Sequence, residues 1–189
     1  MMVSSVPIID LFLQFLLAVV FGGAAISKLR NADEFHGVVR NFRLLPERVD
    51  GAFAIALPWV ELVVAASLLT GFALHVGGAA AGTLLVIFAV AIAINIARGR
   101  TEIDCGCFRQ GMRQRLSWAL VTRNVVLSAG AFWLAAQPAW SRPASAYDFI
   151  IAALAAAAVI LIYLCANELT GLRQLPLSER KIAKEGTVT

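Results

Sequence analysis

Cys105 and Cys107, separated only by Gly106 in the run Asp104-Cys105-Gly106-Cys107-Phe108, are the clearest reactive chemistry in the chain. A disulfide between such near neighbours closes a small ring, so it is expected to be strained and readily reduced. Gly106 lacks a Cβ and tolerates the backbone that so tight a turn requires. Arg100, Arg109, Arg113 and Arg115 favour the thiolate, while Asp104 opposes it. These conditions suit a pair that exchanges electrons. Two other readings stay open. One is a pair of reduced thiols without a role. The other is a metal site, ranked last because two cysteines and one aspartate have no further ligand nearby and the two histidines are distant in sequence.

Three more residues bear on that chemistry. Cys165 could relay or resolve a disulfide, although cysteine is also an ordinary apolar filler in helices. Glu61 and Arg123 are ionisable groups inside apolar runs, where charge is costly and is normally paired or faces a wet cavity. A Glu61–Arg123 pair would satisfy both beneath the cysteine segment. It would serve either to fix helix register or to make Glu61 a proton donor or acceptor for thiol or quinone chemistry. Arg123 could instead snorkel to the surface. Lys28 reads as an interface anchor, and His75 as solvated.

The elements that must position these groups are membrane helices. Hydrophobic residues make up 60% of the 189, only 15% are charged, and the mean hydropathy is +0.79. A soluble domain usually carries about a quarter charged residues. The apolar excess falls into blocks of about 20 residues, enough for a helix to cross roughly 30 Å of hydrocarbon. Five spans are expected, at about 7–26, 51–70, 76–97, 116–136 and 147–166, with a polar tail over 167–189. The fold class is therefore all-α: one polytopic helical bundle, a four-helix core plus one. Between the first two spans, Phe35, Val38, Val39, Phe42 and Leu45 recur at helical spacing. They predict a short amphipathic helix lying in the interface and ended at Leu45-Pro46. Gly77, Gly78, Ala81 and Gly82 permit close helix approach. Trp59, Trp118, Trp133, Trp140 and Tyr147 read as an interfacial aromatic belt.

The net charge of +4 does not point to nucleic acid, because the basic residues lie in short segments beside apolar runs. There they act as topology signals and contacts to anionic membrane lipid. Lys28, Arg30, Arg40, Arg43 and Arg48 lie between the first two spans. Arg98, Arg100, Arg109, Arg113 and Arg115 lie between the third and fourth, and Arg173, Arg180, Lys181 and Lys184 in the tail. The opposite side has only Arg142. The N-terminus is thus expected outside, and the C-terminus and the cysteine segment inside. Five spans place Cys105, Cys107 and Cys165 at one face whichever way the protein inserts. No Gly-rich phosphate loop, zinc-ligand set of four or internal repeat is evident, and a solute transporter is the weakest reading.

Three segments together resemble the methylamine-utilisation MauE family, itself related to DoxX-like membrane proteins. They are Gly22-Gly23-Ala24-Ala25-Ile26-Ser27-Lys28-Leu29, Leu57-Pro58-Trp59-Val60-Glu61-Leu62 and Asp104-Cys105-Gly106-Cys107-Phe108. The match runs from about residue 8 to 167, and the Cys-Gly-Cys-Phe segment is its most specific part. The resemblance implies a bacterial inner-membrane protein needed to mature the small (beta) subunit of methylamine dehydrogenase, a periplasmic, disulfide-rich protein. Maturation here means processing, export or disulfide formation, with the thioredoxin-like MauD as partner. By that analogy Cys105 and Cys107 are the exchange pair of a thiol–disulfide oxidoreductase. Two alternatives are a non-catalytic assembly or export scaffold and a quinone-linked oxidoreductase subunit. A periplasmic client sits awkwardly with a cytoplasmic dithiol. Either reducing equivalents cross the bilayer or a span is miscounted.

Overall fold

A computed structural model of the chain describes residues 7–100, 116–137 and 145–173. Those residues form six helices: α1 (Pro7–Arg30), α2 (Ala32–Phe42), α3 (Glu47–Thr70), α4 (Leu74–Ala97), α5 (Trp118–Ala136) and α6 (Ala146–Arg173). Five are long and apolar enough to cross a membrane, and α2 is the short one. At 1.5 Å per residue, the 24 residues of α3 or α4 reach about 36 Å, more than the hydrocarbon thickness. The protein is a multi-pass membrane protein, as the block lengths predict.

The boundaries follow local chemistry. Pro46 caps α3 in an extended conformation, so the helix starts at Glu47 rather than at Gly51, with Glu47 and Asp50 facing the positive end of its dipole. Gly71, at φ +70°, ends α3 in the left-handed region, and its N–H bonds the Leu68 carbonyl at 3.3 Å. Helix α6 opens on a reciprocal cap: the backbone N–H of Ser145 donates to Asp148 Oδ2 at 2.8 Å, and the Asp148 N–H donates to Ser145 Oγ at 3.3 Å. The helix runs on past residue 166 to Arg173. Pro58 lies inside α3, where it leaves the Ala54 carbonyl without an in-helix donor, yet the helix continues.

Helices α1, α3, α4 and α5 close into a ring, each packed against its two neighbours, with α6 laid against α1 and α2 against α3. Leu17, Phe21, Val64, Leu68, Leu85 and Leu134 bring all four ring helices to one core. The α4–α5 contact is the tightest because α4 presents glycine. A Cβ on Gly78 would sit 2.9 Å from the Ala131 carbonyl oxygen, and one on Gly82 would sit 2.8 Å from the Phe132 ring.

The amphipathic helix exists but is placed differently from expectation. It stops at Phe42, where Arg43 turns left-handed at φ 47°, not at Leu45-Pro46. Its apolar stripe does not face lipid: Phe35 is buried against Ala54 and Leu57 of α3. Helix α2 therefore covers one end of the bundle.

Candidate functional site

Lys28 lies in the last turn of α1, where a basic side chain could reach water and act as an anchor. It does the opposite. Helical Cβ atoms tilt toward the N-terminus, so its long stem is directed back into the bundle. Phe35 of α2 closes over it, and Lys28 is only 5% exposed. Its ammonium forms a short ion pair with Oε1 of Glu61, which is 0% exposed. The same nitrogen lies 5.2 Å from the Phe35 ring centroid and 5.1 Å from that of Phe88 on α4, so two ring faces help to replace lost water.

This corrects two expectations at once. Glu61 pairs with Lys28 rather than with Arg123, and Lys28 is a buried partner rather than an interface anchor. Arg123 donates from Nη1 to the Tyr163 hydroxyl at 2.6 Å, and its guanidinium stacks 5.6 Å from that ring's centroid, joining α5 to α6. It neither meets Glu61 nor extends alone to the surface. A buried charge pair is retained in an apolar protein only with close geometry and added contacts. The Lys28–Glu61 pair has both.

A cavity of about 210 Å³ lies between α2, α3 and α4, and Lys28 is its one charged lining residue. Its lining is otherwise apolar. Of the lining residues, Phe53 and Ile87 are exposed, whereas Phe35, Leu57 and Ile92 are buried.

The remaining candidates divide by position. Cys165 is a free, exposed thiol on α6, two residues beyond Tyr163. Cys105 and Cys107, and with them the metal question, lie outside the described residues. Helix α4 ends at Ala97, and Leu116, just before α5, packs with Ile92 and Leu120. Arg98 donates to the Arg43 carbonyl at 3.5 Å, so the ends of α4 and α2 meet at the same end of the bundle as Lys28. Among the described residues, no group of three His, Cys, Asp or Glu side chains could hold a metal ion. His75 is exposed, and its Nδ1 lies 3.0 Å from the Ala135 carbonyl, a contact available to the Nδ1–H tautomer. Of the aromatic belt, Trp118 and Tyr147 stand at helix starts. Trp59 sits midway along α3, 56% exposed, and Trp140 lies outside the described residues.

Several buried polar groups escaped the sequence reading. Trp133 donates to Asp10 Oδ1 at 3.1 Å, and Gln14 donates to the Leu68 carbonyl at 2.5 Å, tying α1 to α5 and α3 at the opposite end. Asn95 and Asn124 are buried on α4 and α5. A polar side chain in an otherwise apolar run was the available signal, and it was followed only for Glu61 and Arg123.

Comparison with known proteins places the chain among relatives. Residues 6–137 match the family described as "Methylamine utilisation protein MauE". A Paracoccus versutus protein named "Methylamine utilization protein MauE" is 49% identical over 166 residues, covering 88% of this chain and 89% of its own. A protein of the same name from Methylorubrum extorquens is 45% identical over 171 residues, covering 88% and 90%. One from Methylophilus methylotrophus is 36% identical over 177 residues, covering 93% and 92%. No solved structure matches.

Proposed function

Since the chain belongs to the MauE family of methylamine utilisation proteins, we propose that it matures the beta subunit of methylamine dehydrogenase by thiol–disulfide exchange. Cys105 and Cys107 form the exchanging pair, and the thioredoxin-like MauD is the partner that passes electrons to or from it. The protein acts as a single domain in the bacterial inner membrane, with its N-terminus in the periplasm and its C-terminus in the cytoplasm.

The reading rests above all on family membership combined with Cys105-Gly106-Cys107 standing in the connection between α4 and α5. A thiolate there is favoured by the flanking arginines and is the form that attacks a disulfide. Exchange proceeds through a mixed disulfide: one sulfur bonds the partner, and the second displaces it as the pair closes. Five candidate spans among the described residues match the number expected. A cytoplasmic dithiol serving a periplasmic client then requires reducing equivalents to cross the membrane.

The test is replacement of Cys105 and Cys107 by serine, singly and together, in a methylamine-grown host lacking its own copy. Loss of mature dehydrogenase, with the variant still inserted, is the expected outcome. Normal growth and normal subunit disulfides with both cysteines replaced would overturn the exchange reading and leave a non-catalytic assembly or export scaffold.

A further inference from the structure

A second cluster of buried polar groups lies at the end of the bundle away from Lys28, on α1, α3 and α5. Asp10 and Gln14 stand four residues apart on α1, so they share one face of that helix, with about 5–6 Å between their Cβ atoms. Both are almost wholly buried, at 1% and 5% exposure. Trp133 of α5 donates its indole N–H to Asp10 Oδ1 at 3.1 Å, and Gln14 Nε2 donates to the Leu68 carbonyl of α3 at 2.5 Å.

These bonds fix which atoms are left over. The Leu68 carbonyl also accepts the Gly71 N–H, and as an acceptor it can face only the amide nitrogen of Gln14. Gln14 Oε1 is therefore turned away from it. Asp10 Oδ2 and Gln14 Oε1 are both buried without a hydrogen-bond partner. Both are acceptors, and among the described residues no cation pairs with the Asp10 carboxylate. A buried charge is normally paired or coordinates a metal. One water could donate to both oxygens, but it would leave the negative charge uncompensated.

The donor set defines the class of ion. Carboxylate and amide oxygens are hard ligands, suited to alkali and alkaline-earth cations rather than to soft metals. One carboxylate balances one positive charge, so a monovalent ion leaves the site neutral and a divalent ion does not. Leu11 beside Asp10, Leu134 beside Trp133, and Leu68 itself are fully buried. Such close packing favours a compact ion over an organic cation.

We propose that Asp10 Oδ2 and Gln14 Oε1 bind one alkali-metal cation. The ion neutralises Asp10 and stiffens the junction that Asp10 and Gln14 make between α1, α5 and α3. It stands whether or not Cys105 and Cys107 exchange electrons, and its test does not read dehydrogenase maturation.

The experiment measures equilibrium binding of radioactive sodium, and of rubidium as potassium's stand-in, to the purified full-length protein. The protein is held in nanodiscs of zwitterionic lipid, with choline as the replacing cation at constant ionic strength. Wild type is expected to bind one of the two ions saturably, undisplaced by choline. It should also unfold about 5 °C or more higher in that ion than in choline. Asp10→Asn should bind neither ion, since the amide keeps an acceptor for Trp133 and offers a donor to Gln14 Oε1 but carries no charge. Gln14→Leu should bind about tenfold or more weakly. The proposal is overturned if wild type binds neither ion. It is overturned equally by stabilisation with acid and no response to either ion, which would leave a proton or a water in the site. Unchanged binding by a folded Asp10→Asn or Gln14→Leu protein also overturns it.

Discussion

Lys28 shows how one side chain can reverse its expected role. At the end of an apolar run a lysine normally snorkels to water, but here α2 folds over that end and Phe35 takes the place of the solvent. The charge is then tolerable only because Glu61 is in contact with it. Removing one partner should be costly: Lys28→Met takes away the cation in contact with Glu61 Oε1, a loss of about 3–5 kcal/mol. Lys28→Met/Glu61→Gln should recover most of that, because a neutral amide is far cheaper to bury than a carboxylate that has lost its Lys28 contact. Denaturant titration of the two variants in detergent would check this. Equal destabilisation of single and double variants would show that the charges are not coupled.

At the scale of helices, α4 and α5 hold together by the absence of side chain. Lipid provides no hydrophobic drive between membrane helices, so close packing of small residues must supply the attraction. Gly78→Ala would push a methyl group against the Ala131 carbonyl and the Ala135 backbone nitrogen, neither of which can rotate away. A loss of about 1–3 kcal/mol is expected, the usual cost of overpacking. Gly37→Ala on α2 is the matched control, since nothing lies within 4 Å of the added carbon. It should be neutral or stabilising by up to about 1 kcal/mol through helix propensity. Thermal unfolding of the two variants side by side would decide. Comparable losses would mean that the α4–α5 contact is not limiting.

For the whole molecule, the arginine asymmetry and the five candidate spans predict orientation. Alkaline phosphatase fused in the α3–α4 connection at Phe72 should be active, and a fluorescent protein fused after Arg173 should fluoresce in the cytoplasm. The reverse pattern would place the cysteine segment outside. The number of spans, the existence of α2 and the apolar blocks were all legible in the residues, because length against bilayer thickness and period against burial are properties of the chain itself. The stops were less so: α2 ends at Phe42, where Arg43 turns left-handed, and α3 begins at Glu47, through backbone conformations that hydropathy does not encode. The ion pair was not legible at all. Glu61 stood out as an expensive charge, yet its partner depended on which way Lys28 bends and on what covers it, and those are decided by α2 closing over three other helices. The sequence alone therefore determined that a buried carboxylate needs a cation. Only tertiary packing decided that the cation is Lys28, because distance and exclusion of water belong to the assembled bundle and not to any one of its helices.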